Sequence, residues 1–279
     1  MADISLTAGI RSNLLSLQST SSLLARTQER LGTGKKVNSP IDNPTNYFTA
    51  QSLNNRSSDL TARLDGIAKG INTVKAADTG IKSITSLLKQ AKGVAQDARA
   101  LATNDEEGRT EAMTRFNDLR KQIDQLAKDS GYDGVNLLAS DSLDVQFAEK
   151  VGDSSIKLTG FDASTAAAGL DVAAASGWDD PDAAGNTAID TAIKGLEDAE
   201  DNLRNESKKL SANLAVLTTR QEFTKNMANV LTTGAADLTN ADLNEEAANL
   251  LALNTQNQLG VNALSLASQA SQSVLRLLG

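Results

Sequence analysis

Through most of this chain Leu, Ile and Val return on an alternating four-and-three step. In the opening stretch the residues are Ile10, Leu14, Leu17, Leu24 and Leu31, with Ser21 and Gln28 filling the gaps. Such a heptad seam belongs to long helices that lie nearly parallel to one another. The two ends add a second constraint. Between residues 2 and 25 the only charged side chains are Asp3 and Arg11, and between 251 and 279 the only one is Arg276. A short isolated helix is marginal in water, because its stability comes mainly from packing an apolar face. Ends of this kind are expected to stay loose until another surface takes them, which points to an assembly protein before an enzyme.

The pattern divides the chain into five segments. A first helix is predicted from about Leu6 to Leu31, stopping at Gly32-Thr33-Gly34, with Pro40 and Pro44 close behind. A second long helical region runs from about Pro44 to Leu101 on Leu60, Leu64, Ile67, Ile71, Val74, Ile81 and Leu88. Pro44 suits a first helical turn. Gly66, Gly70, Gly80 and Gly93 are tolerable in it where a neighbour packs closely. A third helix, about Asp105 to Asp129, carries Ala112, Phe116, Leu119, Ile123 and Leu126, with Asn104 as the expected cap and Glu107 completing a capping box. The short turn before it predicts an antiparallel helix pair.

Between Gly131 and Gly185 the period changes to two. Leu143, Val145 and Phe147 alternate with polar residues, as do Ile156 and Leu158, which predicts a β-hairpin turning near Gly152-Asp153. The rest of this stretch is turn-rich. Residues 140–186 hold nine carboxylates against Lys150 and Lys157, a net −7 within a whole-chain charge of −8, so an exposed acidic insert is expected. Helix returns from about Ala188 to Leu231 on Ile189, Ile193, Leu196, Leu203, Leu210, Leu214 and Leu217. A break is expected between Gly234 and Asn240. The last helix then aligns Leu243, Ala247, Leu250, Val261, Leu264, Leu275 and Leu278 on one seam, with Asn254, Asn257, Ser268 and Ser271 between them and Val274 beside it.

The expected fold is mainly α: an elongated antiparallel helical rod with terminal coiled-coil helices and a small β-hairpin insert. Its segments are 1–36, an N-terminal core helix; 37–139, N-terminal rod helices; 140–186, the acidic surface insert; 187–237, a C-terminal rod helix; and 238–279, a C-terminal core helix. A helix of about 55 residues is roughly 80 Å long at 1.5 Å per residue. Candidate assembly residues are Ile10, Leu14, Leu17, Leu24, Leu31, Leu250, Leu264, Val274, Leu275 and Leu278. Candidate hinges are Gly32, Gly34, Pro40, Pro44 and Gly234.

Composition narrows the chemistry. Aromatics are 3% of residues, little for the pockets of a compact enzyme but enough for helices packed through Leu, Ile and Ala. Cysteine and histidine are both absent. That removes thiolate catalysis, disulfides, Cys-ligated zinc and the commonest general base. A sequence pI near 4.7 argues against a nucleic-acid partner. No stretch is apolar and long enough to suggest membrane insertion. The start, Met1-Ala-Asp-Ile-Ser-Leu, lacks the pattern of a cleaved signal. Gly32-Thr-Gly34-Lys35-Lys36 is not a phosphate loop: no Gly lies five residues before Gly34 and no hydroxyl follows the first Lys. Asp180-Pro-Asp182-Ala-Ala-Gly185 begins like a calcium loop but has Ala184 and Thr191 at two ligand positions. No cofactor, metal or catalytic residue is expected.

Four segments in order resemble bacterial flagellin. The first comprises Asn13, Leu17, Leu24, Leu31, Gly34 and Val37-Asn38-Ser39. The second is Gly131-Tyr-Asp-Gly-Val-Asn-Leu-Leu138. The others are Ala241-Asp-Leu-Asn-Glu-Glu-Ala247 and Ser273-Val-Leu-Arg-Leu-Leu278. The likeness covers most of 1–139 and 186–279. It implies a non-enzymatic subunit that polymerises with itself into the flagellar filament, supporting motility, with both end helices in the inner coiled-coil layer. It also implies export without a cleaved signal peptide and an extracellular location. Filament cap, hook-junction proteins and an export chaperone are the implied partners. The insert of about fifty residues implies a short form. Two departures stand out: Asp42-Asn-Pro-Thr45 replaces the family's Asp-Asp-Ala-Ala turn, and Lys36 replaces an arginine of that turn, losing bidentate pairing. A hook–filament junction protein and a helical secretion-needle or adaptor module are the competing readings.

Overall fold

A computed structural model describes residues 8–148 and 154–278. The chain order is α1 (Ala8–Thr33), α2 (Pro44–Ala100), α3 (Glu106–Asp129), β1 (Ser142–Gln146), β2 (Ser155–Thr159), α4 (Ala183–Thr239) and α5 (Leu243–Leu278). Two compact units result, Arg56–Asn229 and Met1–Asn55 with Val230–Gly279.

In Arg56–Asn229 the heptad stripe closes a core. Ile67, Val74, Ile81 and Leu88 of α2, and Ile189, Leu196, Leu203, Leu210 and Leu217 of α4, fall seven residues apart and are buried. Phe116 and Ile123 of α3 join them. The hairpin forms as expected, its register placing Leu143 opposite Leu158 and Val145 opposite Ile156, and sends Val145 and Leu158 into the same core. The expected turn at Gly152-Asp153 lies outside the described residues.

Two of the four α2 glycines have the close neighbour that the sequence asks of them. A Cβ on Gly70 would meet Val145, and one on Gly80 would meet Ser130 and Leu138; Gly66 and Gly93 face open space. The cap of α3 is Asp105 rather than Asn104, its carboxylate accepting the Gly108 amide at 3.1 Å. The helix starts one residue later than expected, so Glu107 falls one position short of a capping box. At Tyr132–Val135 a two-residue turn closes with reciprocal backbone bonds of 2.9 and 3.0 Å. Asp133 and Gly134 there take positive φ. Asn136 then donates to the Ala127 and Lys128 carbonyls at the end of α3.

The insert departs most from expectation. Its acidic side chains are largely exposed, but Leu170, Val172, Ala175 and Trp178 are buried in the core. Side chains of α3 fix this irregular backbone. Asn117 donates to the Ala175 carbonyl and accepts its amide, Arg120 donates to Val172, and Asp124 accepts the Thr165 amide. Arg109, fully buried, donates to the Trp178 and Leu101 carbonyls and to Asn186. Buried backbone polar groups need partners, and here side chains supply what a sheet would otherwise give.

Candidate assembly surface

In the unit formed by the two ends of the chain, α1 and α5 lie antiparallel: Leu17 meets Gly260 and Arg30 meets Glu246. On α1 the inward stripe is Ile10, Asn13, Leu17, Thr20, Leu24, Thr27 and Leu31. On α5 it is Glu246, Leu250, Leu253, Asn257, Gly260, Leu264 and Ala267. Both follow the four-three step, and pairing Leu17 with Gly260 brings the two stripes into register along the described length.

These stripes differ from the expected ones at alternate layers. Ile10, Leu17, Leu24, Leu31, Leu250 and Leu264 lie inward, half-buried, as the pattern requires. Leu14 is 40% exposed, and Asn13 takes the place predicted for it. Thr20 and Thr27 lie inward instead of Ser21 and Gln28. An inward threonine is cheap when its hydroxyl is satisfied, and Thr20 donates to its own helix at Ser16. On α5, Leu243, Ala247 and Val261 are exposed, while Glu246, Gly260 and Ala267 face α1. Val274, Leu275 and Leu278 belong to helix α5, but their side chains lie outside the described residues.

Two features of this pair carry no large-apolar signature. A Cβ at Gly260 would sit 2.8 Å from a Leu17 methyl, so any larger residue there would push the Leu17 side chain aside. Arg30 and Glu246 pair at 2.9 Å with the glutamate side chain 9% exposed. Removing the arginine would leave a buried carboxylate without its partner, which costs more than an exposed pair contributes.

The chain breaks that flank the pair are stitched together. Gly34, at φ +70°, ends α1 by donating its amide to the Arg30 carbonyl at 2.8 Å, a left-handed cap for which glycine is suited. Its own carbonyl accepts the Ala241 amide, and the Thr239 carbonyl accepts Lys36 and Val37. Lys36 also donates Nζ to the Asp237 carbonyl. Asp42 accepts the amides of Asn38 and Ser39 and the Ser39 hydroxyl. The Ser39 backbone amide, foremost among these donors, holds the Asp42 carboxyl below its ordinary range. Asn43 caps α2 through the Asn46 amide, and Asp242 caps α5 through Asn244.

Among the expected hinges, Gly34 and Pro40 fall in the first break and Pro44 opens α2. Gly32 lies inside the last turn of α1, and Gly234 lies inside α4, which runs on to Thr239. Leu231 and Ala235 are buried on either side of Gly234. Their packing outweighs the roughly 1 kcal/mol that one glycine costs a helix, so the break comes instead at 240–242.

Around this pair, large apolar side chains face solvent: Leu14, Leu15 and Leu23 on α1, and Leu251, Leu259, Val261 and Leu266 on α5. Leu251, Leu259 and Leu266 recur at steps of eight and seven along the side of α5 away from α1. Among the described residues no cluster of three acidic side chains could hold a metal. Nor, among the described residues, is any helix long and apolar enough to cross a membrane.

Residues 4–142 match the bacterial flagellin N-terminal helical region, and residues 187–278 match the bacterial flagellin C-terminal helical region. The chain is similar to flagellin FljM of Caulobacter vibrioides, 31% identical over 95% of this chain and 94% of that one. This chain belongs to the bacterial flagellins. A flagellin of Brucella melitensis is 29% identical over 99% of both chains. In fold, the flagellin chain is like a structure assigned as a flagellar hook-associated protein of Vibrio parahaemolyticus, with a TM-score of 0.58. That likeness spans 71% of this chain and all of that one at 14% identity, so it speaks to fold alone. Matches at both ends and relatives near 30% identity over the full length place this flagellin among structural subunits of the flagellar filament, a family that polymerises outside the cell. The junction-protein and needle readings are not favoured.

Proposed function

We propose that this flagellin assembles by covering the exposed apolar face of its α1–α5 unit with the same unit of neighbouring copies. The exposed row Leu251, Leu259 and Leu266 carries the reading, with Leu14 exposed on α1 and Val261 on α5. Contiguous exposed apolar side chains on a soluble chain signal an interaction site. Ile10, Leu17, Leu24, Leu31, Leu250 and Leu264 then hold the pair in shape, Leu14 faces outward, and Val274, Leu275 and Leu278 extend the same helix. The α1–α5 seam is half-buried and interrupted by Asn13, Thr20, Thr27 and Asn257. Pairing within one copy is therefore weak, and packing between copies completes it. Apolar burial contributes about 25 cal/mol per Å² before the cost of ordering is subtracted. Segments 1–36 and 238–279 act as this filament core, and the rest of the chain forms the outer wall.

The subunit is exported without cleavage, has no catalytic activity, and meets a filament cap, hook-junction proteins and an export chaperone besides its own copies. Support for these roles comes from family membership.

The test is seeded elongation followed by electron microscopy. Leu259→Asp with Leu266→Asp is expected to abolish elongation from parent seeds while leaving the helix content and the Trp178 environment of the monomer unchanged. Filaments of normal length from that variant would overturn the assignment of this face.

A further inference from the structure

A second feature suited to neighbouring copies lies wholly within Arg56–Asn229. Between α2 and α4 runs a groove of about 610 Å³ with Lys82, Lys89, Arg204 and Lys208 along it and Glu200 among them. Lys82 and Arg204 pair with Asp78 and Asp201 of their own helices. Lys89 and Lys208 are exposed and have no ion pair among the described residues. The Glu200 Oε1 atom is buried and accepts no hydrogen bond. Such an oxygen costs free energy until a donor reaches it.

We propose that this groove receives the acidic 171–182 segment of a second copy. In that segment Asp171, Asp179 and Asp182 are exposed and without ion pairs among the described residues. Charge complementarity chooses the occupant: two unpaired ammonium groups face an unpaired run of carboxylates on the same molecule. A single chain cannot make the contact. Asp182 and Arg204 are separated by 22 residues of α4, about 33 Å at 1.5 Å per residue. Two copies offset along α4 by about that distance bring groove and segment together. The inference rests on the polymerising function, and it assigns electrostatic register to a surface distinct from the apolar α1–α5 face.

The experiment is charge exchange in the full chain, read as the critical concentration for elongation on parent seeds. Like charges facing each other cost several kcal/mol, so Lys89→Glu with Lys208→Glu should raise that concentration at least about tenfold. Adding Asp179→Lys and Asp182→Lys to the same chain should bring it back to within about threefold of the parent. Lys89→Gln with Lys208→Gln, milder toward the helices, should give an intermediate rise. Unchanged Trp178 fluorescence melting would show each monomer folded. Elongation of the double glutamate variant at the parent concentration would overturn the proposal, as would a fourfold variant no better than the double. A parent chain that fails to elongate on its own seeds would instead strike at polymerisation itself.

Discussion

The same four-three step is used in two ways in this molecule. In Arg56–Asn229 the seven-residue stripes Ile67 to Leu88 of α2 and Ile189 to Leu217 of α4 are apolar and buried, and α3, the hairpin and Trp178 close over them. In the α1–α5 unit the layers alternate leucine with Asn, Thr or Gly, and several of the largest apolar side chains point away from the seam. One stripe ends in a finished core, the other in a pair that leaves large apolar side chains exposed. The difference lies less in the count of leucines than in where the remaining ones point. A seam with polar layers specifies register at a cost in stability, which suits a pairing meant to be completed by assembly.

The largest effect should come from breaking the finished core. Phe116 is fully buried and stacks edge-on against Trp178 at 5.0 Å. Phe116→Ala should cost about 3–5 kcal/mol, as large-to-small aromatic changes in cores do. Trp178 is the chain's single tryptophan, so urea unfolding followed by its fluorescence reports this unit directly. A loss below about 1 kcal/mol would mean that the insert does not close the core as described.

A smaller effect, confined to the other unit, should follow from Gly260→Leu. The new side chain would collide with Leu17, and overpacking of this kind costs about 1–3 kcal/mol. Amide hydrogen exchange in α1 and α5 should speed up while the Trp178 unfolding midpoint stays where it was. A shift of that midpoint as large as the change in exchange would erase the contrast between the two units.

Most of the finished core was legible in the sequence. Residues such as Ile67, Val74, Leu196 and Leu203 are large, apolar and strictly periodic, and the alternation of Leu143, Val145 and Phe147 marked the hairpin. The α1–α5 pair was legible only at half its layers. Leucines occupy adjacent stripes on α5, so a four-three count runs equally well through Val261 or Gly260. The inward choice of Gly260 and Glu246 depends on Leu17 and Arg30 of another helix, and no local pattern carries that. A small residue opposite a leucine was the one available signal. The insert hid its buried face for a related reason. Leu170, Val172 and Trp178 follow no period, because side chains of α3, not a ladder or a helix, fix their backbone. Gly234 misled in the opposite direction, since a local breaker signal was overridden by the packing of Leu231 and Ala235.

The smallest effect concerns the link that feeds the α1–α5 unit. Asp42 sits in a turn held by its own carboxylate, and its pKa is lowered from 3.8, chiefly by the Ser39 amide. A carboxyl whose folded pKa lies below its unfolded value lends stability above the unfolded value and loses it as pH falls through the folded one. The Asn38 and Ser39 amide resonances should therefore titrate together with a midpoint below 3.8, the ordinary value. Because Asp42 is exposed, the change should stay local and leave the Trp178 signal untouched. Asp42→Asn should abolish the titration, since an amide oxygen can still accept a bond from the turn but has no proton to gain. A titration midpoint at or above 3.8 in the parent would show that the carboxylate does not hold this turn, and Gly34 with the Thr239 carbonyl would then fix the joint between α1 and α2 without it.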